Sequence, residues 1–459
     1  MGSASYWYLA PVLFAVVARL LLLNNAVVPR NALPKHLLGH PIYVKKDLIT
    51  PTVGEELVEL VDAIGLNKGY PTNTADVNFY HTEHEHVGEA TAAKVMPDGR
   101  VLCDNPFLIP SMDRKQCLLA GRMDIGRHLI LTGGARGLRE KYEKIISRVQ
   151  SFGAYHFDLN AYPAISRLFA DEKFLGTAKM VCPADKQHLD PFQFNFIIQI
   201  PGQTVATHID GVYFKGASRF QFPQWLLAAM KFSGMWDEKF VDQVQVVGYL
   251  HRWEPTEAVD TSVDHDNFGS FIYWNNNDPK PNRVLPHPLS GSVVDGSKVV
   301  HAASVYRMED DIPLIDKSIV HWLKKESGEN DRWTLTNERD GVLRNYSFDD
   351  LRISIVYRAR CFANDAELES YRKTLHGKDG EDGRMSLDGI LEKFLADLIA
   401  KGKLAKGSTL ESVPRLDLAL MIMDVYIKYP LPSEPVIPWN YCALGRLIPA
   451  LNGVLGLVC

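Results

Sequence analysis

The sequence predicts an α+β fold, in which a jelly-roll core, or double-stranded β-helix, carries helical N- and C-terminal additions. Three observations lead to this prediction. Short β-branched and aromatic runs recur between turn signals in the middle of the chain. Apolar residues at helical spacing are common in both flanks. The 459 residues are too many for one ordinary hydrophobic core, so either one core domain with large additions or two domains are expected.

The predicted organisation has four parts. They are an N-terminal hydrophobic segment (1–28), a mixed and mostly helical region (29–190), the jelly-roll core (191–365) and a helical C-terminal region (366–459). Within the core, strands are expected at 192–200, 204–214, 244–253, 270–275, 291–306 and 351–362, with a helical insertion at 223–236. Flanking helices are expected at 54–64, 137–149, 162–169, 391–400 and 416–427.

Composition narrows the classes of function. A hydrophobic content of 46% and a charged content of 23% are those of an ordinary globular protein. The net charge of −5 gives no sign of a nucleic-acid partner. The six cysteines form no CxxC pair, so a structural zinc site is not expected, although one or two disulfides would suit a lumenal domain. Asn345-Tyr346-Ser347 is the clear glycosylation sequon.

The N-terminus carries an apolar stretch at residues 6–23, which is close to the minimum length for spanning a bilayer. Arg19 interrupts it near one end, where its side chain could reach the membrane interface. We expect a signal anchor, and hence a single-pass protein of an endomembrane such as the ER. A cleaved signal peptide and a buried helix are the alternatives. The orientation stays open, because the basic residues after the span favour a cytosolic domain whereas the sequon favours a lumenal one.

The pair His208-Ile-Asp210 is the strongest candidate for chemistry. It follows a strand-like run, and residues two apart on a strand project to the same face, so both side chains can bind one ion. His301 lies in another strand-like run, entered through the turn Asp295-Gly296, and can supply a third ligand. Two histidines and one carboxylate form the set that leaves half of an iron(II) coordination sphere open for substrate and O₂.

Two other histidine clusters compete with this site. His188-Leu189-Asp190 repeats the HxD spacing, but it follows a polar, turn-like stretch that fixes its geometry less well. His84 and His86 would share one face of a strand, but a solvated polar loop is the simpler interpretation of that segment. We therefore assign the metal site to His208, Asp210 and His301.

Three segments together resemble the iron(II)- and 2-oxoglutarate-dependent dioxygenase superfamily. Residues 198–210 look like its first core strands, and residues 288–301 look like the turn and strand that lead to its distal histidine. Arg352-Ile353-Ser354 resembles its RxS element. The resemblance covers about residues 192–362 and implies the same jelly-roll fold for this segment.

The resemblance implies roles for five residues: His208, Asp210 and His301 would hold iron, and Arg352 and Ser354 would bind 2-oxoglutarate. A guanidinium group suits bidentate recognition of a carboxylate. The gap between the distal histidine and this arginine is longer than the family's usual hairpin, so residues 309–350 must be an insertion. Arg307 and Arg358 are therefore rival candidates, and Asn195 and Gln199 could add hydrogen bonds.

The activity implied by the resemblance is oxidation of a C–H bond, coupled to decarboxylation of 2-oxoglutarate, with iron(II) and O₂. The substrate is open between a small molecule and a protein, and the only other predicted partner is a membrane, through the N-terminal helix. Two alternatives are a cupin-like metal-binding protein without oxygenase activity and an inactive scaffold held at a membrane. The intact ligand set argues against the scaffold, and an arginine within reach of 2-oxoglutarate would argue against the cupin-like protein.

Overall fold

A computed structural model describes most of the chain. The described residues are 31–72, 91–95, 101–102, 108–110, 115–119, 128–129, 137, 140–156, 158, 160–256, 267–278, 280–309, 311–316, 319–328, 331–376, 383–431 and 449–456. The predicted anchor at 1–28 and the cluster that contains His84 and His86 lie outside them.

The described elements alternate between helix and strand in the first half of the chain, are mostly strands in the middle, and are helical at the end. The strands are β1 (Ile42–Lys45), β2 (Tyr70–Pro71), β3 (Thr91–Ala92), β4 (Lys94–Val95), β5 (Val101–Leu102), β6 (Leu108–Pro110), β7 (Gln116–Leu119), β8 (Phe152–His156), β9 (His188–Gln199), β10 (Val205–His208), β11 (Gln243–Tyr249), β12 (Phe271–Trp274), β13 (Asn282–Val284), β14 (Gly291–Val294), β15 (Val300–Ala303), β16 (His321–Lys325), β17 (Arg332–Asn337), β18 (Gly341–Ser347) and β19 (Arg352–Phe362). The helices are α1 (Pro51–Asn67), α2 (Tyr142–Arg148), α3 (Pro163–Ala170), α4 (Glu172–Lys179), α5 (Gln224–Ser233), α6 (Asp365–His376), α7 (Leu387–Ala400), α8 (Arg415–Tyr426) and α9 (Asn452–Leu455).

Two antiparallel sheets carry the candidate site. The large sheet has the strand order β1-β14-β11-β19-β9-β8, and the small sheet has the order β10-β15-β12-β13. Between β9 and β19 the chain passes repeatedly from one sheet to the other, so most strands that are adjacent in a sheet are distant in sequence. Together with the flanking helices, these sheets give a mixed architecture of helices and antiparallel sheets.

The two faces of the large sheet differ in chemistry. Strand β19 is buried along its whole length, and its side chains point alternately to the two faces. Ile353 and Ile355 belong to a core cluster that includes side chains of α1, α3 and α4. The opposite face carries Arg352, Ser354 and Arg358, which are all buried. Buried polar groups need partners, so this second face is a place where hydrogen bonds or ligands are expected.

Strands β16, β17 and β18 form a separate sheet with β2, in the order β18-β17-β16-β2. These three strands lie in the segment between β15 and β19. The long sequence gap that separates His301 from Arg352 is therefore occupied by an additional folded unit. Helix α5 packs with α7, α8 and side chains of the small sheet in a second large apolar cluster.

A disulfide joins Cys182 to Cys361, with Cα atoms 5.8 Å apart. Cys361 lies near the end of β19, and Cys182 precedes β9, the neighbour of β19 in the large sheet. Cys117 is also disulfide-bonded, so every cysteine among the described residues is oxidised.

The predicted single-pass membrane localisation is contradicted. Within the described part of the chain, no helix is both long enough and apolar enough to cross a bilayer. Helix α8, from the strongly apolar run predicted at 416–427, has 12 residues, whereas a span needs about 20. The predicted membrane contact through the N-terminal helix is without support from this structure.

Candidate metal centre

Two neighbouring strands of the small sheet bring the three predicted metal ligands together. In the antiparallel pairing of β10 with β15, His208 lies directly opposite His301. Asp210 follows β10 by two residues, and its backbone N–H donates to the carbonyl of Gly296 in the turn before β15 (2.8 Å). One ligand atom from each of the three side chains lies within 4.8 Å of the other two. The arrangement could hold one metal ion.

Backbone carbonyls orient both imidazole rings. The Nδ1 atom of His208 lies 2.7 Å from the carbonyl of Ala206, and that of His301 lies 2.9 Å from the carbonyl of Val299. A carbonyl only accepts, so Nδ1 carries the proton and the Nε2 lone pair is available to a metal. The Nε2 atoms face the carboxylate of Asp210, at 3.7 Å for His208 and 3.9 Å for His301.

Asp210 is a buried anion with an incompletely satisfied carboxylate. Its Oδ2 atom is buried and makes no hydrogen bond within the described part of the chain. Burial acts to raise its pKa, but the charge of Arg358 and the two facing imidazoles of His208 and His301 together hold that pKa well below its ordinary value. A charged, buried oxygen without a hydrogen bond fits the role of a metal ligand. The donor set of two imidazoles and a carboxylate suits iron(II).

Gly296 is required by the close approach of the carboxylate. A Cβ atom at this position would lie 2.0 Å from Oδ2 of Asp210 and 2.7 Å from Oε1 of Gln245. No side chain fits there unless the carboxylate moves. Sequence reasoning identified Gly296 as a turn residue only, and it missed Gln245, because a polar residue inside a strand carries no local signal of what it faces.

Arg352 and Ser354 lie on the polar face of the large sheet. Arg352 is 4% exposed, and its Nη1 atom donates to Oε1 of Gln199 (2.6 Å). Its guanidinium lies over the ring of Tyr249, 5.1 Å from the centroid. A Cβ atom on Gly269, just before β12, would lie 2.7 Å from Cδ of Arg352, so this arginine reaches the small sheet that carries both candidate histidine ligands.

The two rival arginines have different surroundings. Arg358 is 4% exposed, and its Nη2 atom donates to the carbonyl of Gly211 and to Oε1 of Gln243, both at 3.0 Å. It therefore lies beside Asp210. Arg307 has a side chain that is 40% exposed and forms an ion pair with Asp350 (3.2 Å). The structure thus gives Arg307 a surface carboxylate partner and leaves two buried arginines on the polar face.

The second HxD sequence forms ion pairs instead of a metal site. Asp190 accepts from Arg360 (2.6 Å) and from Arg372 (3.1 Å). Nε2 of His188 lies 3.2 Å from a carboxylate oxygen of Asp365. The histidine and the aspartate of this pair therefore contact different partners. His251, predicted to be structural, lies 2.7 Å through Nε2 from the carbonyl of Pro286.

Comparisons with known proteins find solved structures of similar fold but no matching sequence family. No protein-family model and no curated protein matches the sequence. Similar solved structures include a prolyl hydroxylase from Trichoplax adhaerens in complex with a hypoxia inducible factor oxygen degradation domain peptide fragment. That structure is 9% identical with a TM-score of 0.30, and the match covers 79% of this chain and 96% of that chain.

Two further structures are similar to this chain. A Pseudomonas putida prolyl-4-hydroxylase is 13% identical with a TM-score of 0.25, over 62% of this chain and 97% of that one. An oxidoreductase of the 2OG-Fe(II) oxygenase family from Burkholderia pseudomallei is 10% identical with a TM-score of 0.25. In that case the match covers 46% of this chain and 66% of the other. Identities and TM-scores this low do not establish membership of a family.

Proposed function

We propose that this protein is an iron(II)- and 2-oxoglutarate-dependent dioxygenase that hydroxylates a C–H bond of its substrate. In this proposal His208, Asp210 and His301 hold the iron. The observation that carries it is the convergence of their ligand atoms within 4.8 Å, from side chains with Nδ1 engaged and Nε2 directed inward. A three-residue ligand set of this kind leaves coordination positions for a co-substrate and for O₂.

The proposed fold of residues 191–365 is a double-stranded β-helix, with helical additions at 29–190 and 366–459. Its support is the strand order. Of the eight strands β9 to β15 and β19, four adjacent ones (β14-β11-β19-β9) lie in the large sheet and four (β10-β15-β12-β13) in the small sheet. His208 and His301 lie on the small sheet, and Arg352 of the large sheet approaches Gly269 beside the small sheet, which supports packing of the two sheets around one site.

Arg352 and Ser354 are the proposed binding groups for 2-oxoglutarate. Arg352 would pair with the distal carboxylate, because a buried guanidinium needs an anion and its planar fork matches one. The Nε2 atom of Gln199 makes no hydrogen bond among the described residues and could donate to the same carboxylate. Ser354 now donates to the carbonyl of Ile197 at 3.3 Å, a long bond that a carboxylate oxygen could replace.

An apolar strip lies between Arg352 and Arg358 on this face of the large sheet. Val247, Tyr249 and Val356 form a buried cluster on the polar face of the large sheet, with Ile197 packed against it. Bound iron would supply O₂ activation at the ligand triad. The chain's own contribution would be to orient the co-substrate through Arg352 and to exclude water with this strip, which strengthens electrostatic interactions inside the site.

An anaerobic titration tests the proposal. Protein loaded with iron(II) is titrated with 2-oxoglutarate, and the visible charge-transfer band of the chelate is recorded. The proposal predicts a saturable band, and succinate formation once O₂ is admitted. Iron binding without a band would favour the cupin-like alternative, because a metal centre that does not chelate the co-substrate cannot perform this reaction.

A further inference from the structure

Two guanidinium groups converge beside the metal ligand Asp210. A Cβ atom on Gly211 would lie 3.7 Å from Nη1 of Arg358, 3.9 Å from Nη1 of Arg219 and 3.4 Å from Cδ of Arg219. The two cationic side chains therefore approach one point on the backbone that follows the carboxylate. Like charges repel, so a pair of this kind is expected where an anion is bound.

Neither arginine forms a close ion pair with a carboxylate of the described residues. Within the described chain, no Asp or Glu oxygen lies within 4.0 Å of either guanidinium group. Arg219 donates from Nη1 to the neutral Oε1 of Gln193 (3.1 Å), and Arg358 donates to a carbonyl and an amide oxygen. The Nε atom of Arg358 is buried and makes no hydrogen bond in the described structure. A buried guanidinium with an unused N–H donor destabilises the folded protein unless a ligand accepts that hydrogen bond and balances the charge.

The nearby carboxylates are already engaged by other cations. Asp190 binds Arg360 and Arg372. Asp242 binds Lys186 at 2.6 Å and also contacts Lys298. Asp210 is the remaining carboxylate close to Arg358, and in the proposed enzyme its charge is taken up by the metal. The positive charge of Arg219 and Arg358 is therefore left for a ligand.

One molecule of 2-oxoglutarate cannot satisfy both Arg352 and Arg358. Arg352 and Arg358 lie six positions apart on the same face, a distance of about 20 Å along an extended strand. The apolar strip that contains Val247 and Val356 lies between them. One anion at each end fits this spacing, with the co-substrate at Arg352 and a second anion at Arg358.

Of the two arginines beside Asp210, Arg219 is the one that reaches solvent. Arg219 is partly exposed, and its neighbour Phe220 is 41% exposed. The guanidinium of Arg219 lies 6.0 Å from the centroid of that ring. A ligand could therefore approach from the surface past Arg219 and reach Arg358 in the interior.

We propose that Arg219 and Arg358 bind a carboxylate group of the substrate and so place a neighbouring C–H bond beside the metal. The proposal rests on the proposed function and narrows it to substrates that carry an anionic group. A carboxylate is the group whose planar shape matches a guanidinium fork.

The first test uses simple probes on the anaerobic complex of iron(II) and 2-oxoglutarate. The probes are N-acetylglycine, its neutral analogue N-acetylglycinamide, and inorganic phosphate. Ligands that bind beside the metal perturb the charge-transfer band, so N-acetylglycine should shift it saturably and the neutral amide should not. An equal response to acid and amide, or no response to the acid, would overturn the proposal. Phosphate binding without N-acetylglycine binding would overturn the carboxylate assignment.

Substitution then locates the binding site. Arg219→Gln should raise the half-saturating concentration of N-acetylglycine about tenfold or more, because a charge-assisted bond is lost. Arg219→Lys, which keeps the charge, should be affected less. Arg339→Gln is the matched control, because Arg339 is a surface arginine paired with Asp316 and Asp340. Equal half-saturation in wild type and Arg219→Gln would contradict the assignment.

Calorimetry separates this proposal from the proposed function. N-acetylglycine is titrated into zinc(II)-loaded wild-type protein and into zinc(II)-loaded Arg219→Gln, both without 2-oxoglutarate, so that the metal neutralises the charge of Asp210. Binding that is lost in the variant would support the anion site even if iron and 2-oxoglutarate gave no charge-transfer band, in which case only the dioxygenase assignment would fail. If the charge-transfer band forms but N-acetylglycine binds wild type and Arg219→Gln equally, the dioxygenase assignment would stand and the proposed anion site would be wrong.

Discussion

His208 and His301 occupy directly opposed positions on β10 and β15, and their ring centroids lie 4.4 Å apart. Each ring has its Nδ1 atom beside the carbonyl of the residue two positions earlier, in a matching arrangement on the two strands. The strand register therefore sets the separation of the two imidazoles, and the backbone sets their orientation. Only the carboxylate of Asp210, which lies beyond the end of β10, depends on a loop.

Loss of one histidine should weaken metal binding strongly. Mutation of a residue that only orients a ligand typically lowers metal affinity by about 10- to 100-fold. His301→Ala removes one of the three proposed ligands, so iron(II) affinity should fall by more than about 100-fold. The control is His188→Ala, in the HxD sequence that forms ion pairs, and it should bind iron as wild type does. Competition with a chromogenic chelator measures both affinities. A wild-type affinity in His301→Ala would exclude this residue as a ligand.

Arg352→Ala should weaken 2-oxoglutarate binding by about 30-fold or more, since the pairing of a buried charge is worth about 2 kcal/mol at least. Iron affinity should not change, because Arg352 is not one of the three proposed ligands. Arg307→Ala, at a surface arginine paired with Asp350, should leave 2-oxoglutarate affinity unchanged. Titration of the charge-transfer band reports both. Unchanged affinity in Arg352→Ala would move the co-substrate site elsewhere.

Gly296→Ala tests the packing of the carboxylate. The added methyl group would overlap Oδ2 of Asp210, so the carboxylate must rotate away from the two histidines. We expect a loss of iron affinity of about tenfold or more, comparable with the loss of an orienting partner. In Gly176→Ala, a helical position with no atom within 4 Å, iron binding should not change. Retained affinity in Gly296→Ala would show that the turn can relax.

Removal of the disulfide should destabilise the large sheet. Cys182→Ser combined with Cys361→Ser should lower the free energy of unfolding by about 2–4 kcal/mol, as is typical for a native disulfide. Denaturant unfolding of the double variant and of wild type, both without reductant, gives the difference. Reductant also opens the disulfide of Cys117, so the control compares wild type and the double variant when both are reduced, and their midpoints should then be equal. An unchanged midpoint would mean that the bridge does not form in solution.

His251 should make stability depend on pH. Burial, with the nearby charge of Arg352, lowers its pKa to about 3 in the folded state. In the unfolded state the imidazole has its ordinary pKa of about 6.5, so below that pH it takes up a proton only on unfolding. The unfolded state thus binds more protons between these values, and stability falls as the pH drops through that window, by about 5 kcal/mol at most.

The corresponding measurement is the free energy of unfolding between pH 6.5 and 4. Its slope should be smaller in His251→Gln than in wild type. His287→Gln, at a histidine whose side chain is 42% exposed, is the control and should keep the wild-type slope. Equal slopes in wild type and His251→Gln would contradict the pKa assignment.

Local pattern was enough to predict much of the candidate site and many elements. The side chains of His208 and Asp210 do lie together, although the two-residue period of a strand does not explain it, because β10 ends at His208. The helices at 224–233, 387–400 and 415–426 lie where apolar spacing predicted them. The predicted strand at 204–214 is wrong in length. It ends at His208, because the backbone of Asp210 turns to donate to Gly296.

Contacts between distant segments could not be read from the sequence. The surroundings of Arg352, Arg358 and Arg307 differ because of strand register and neighbouring loops, which leave no trace in the residues around each arginine. The pairing of Cys182 with Cys361 likewise depends on the adjacency of β9 and β19. The convergence of Arg219 with Arg358 requires a loop and a strand that are far apart in the chain.

The most direct test of the central claim is an anomalous difference map from a crystal grown anaerobically with iron(II), collected on both sides of the iron absorption edge. The account predicts one strong peak within about 2.0–2.3 Å of Nε2 of His208, Nε2 of His301 and a carboxylate oxygen of Asp210. A peak bound to other residues, or none at this triad in protein that retains iron, would contradict it.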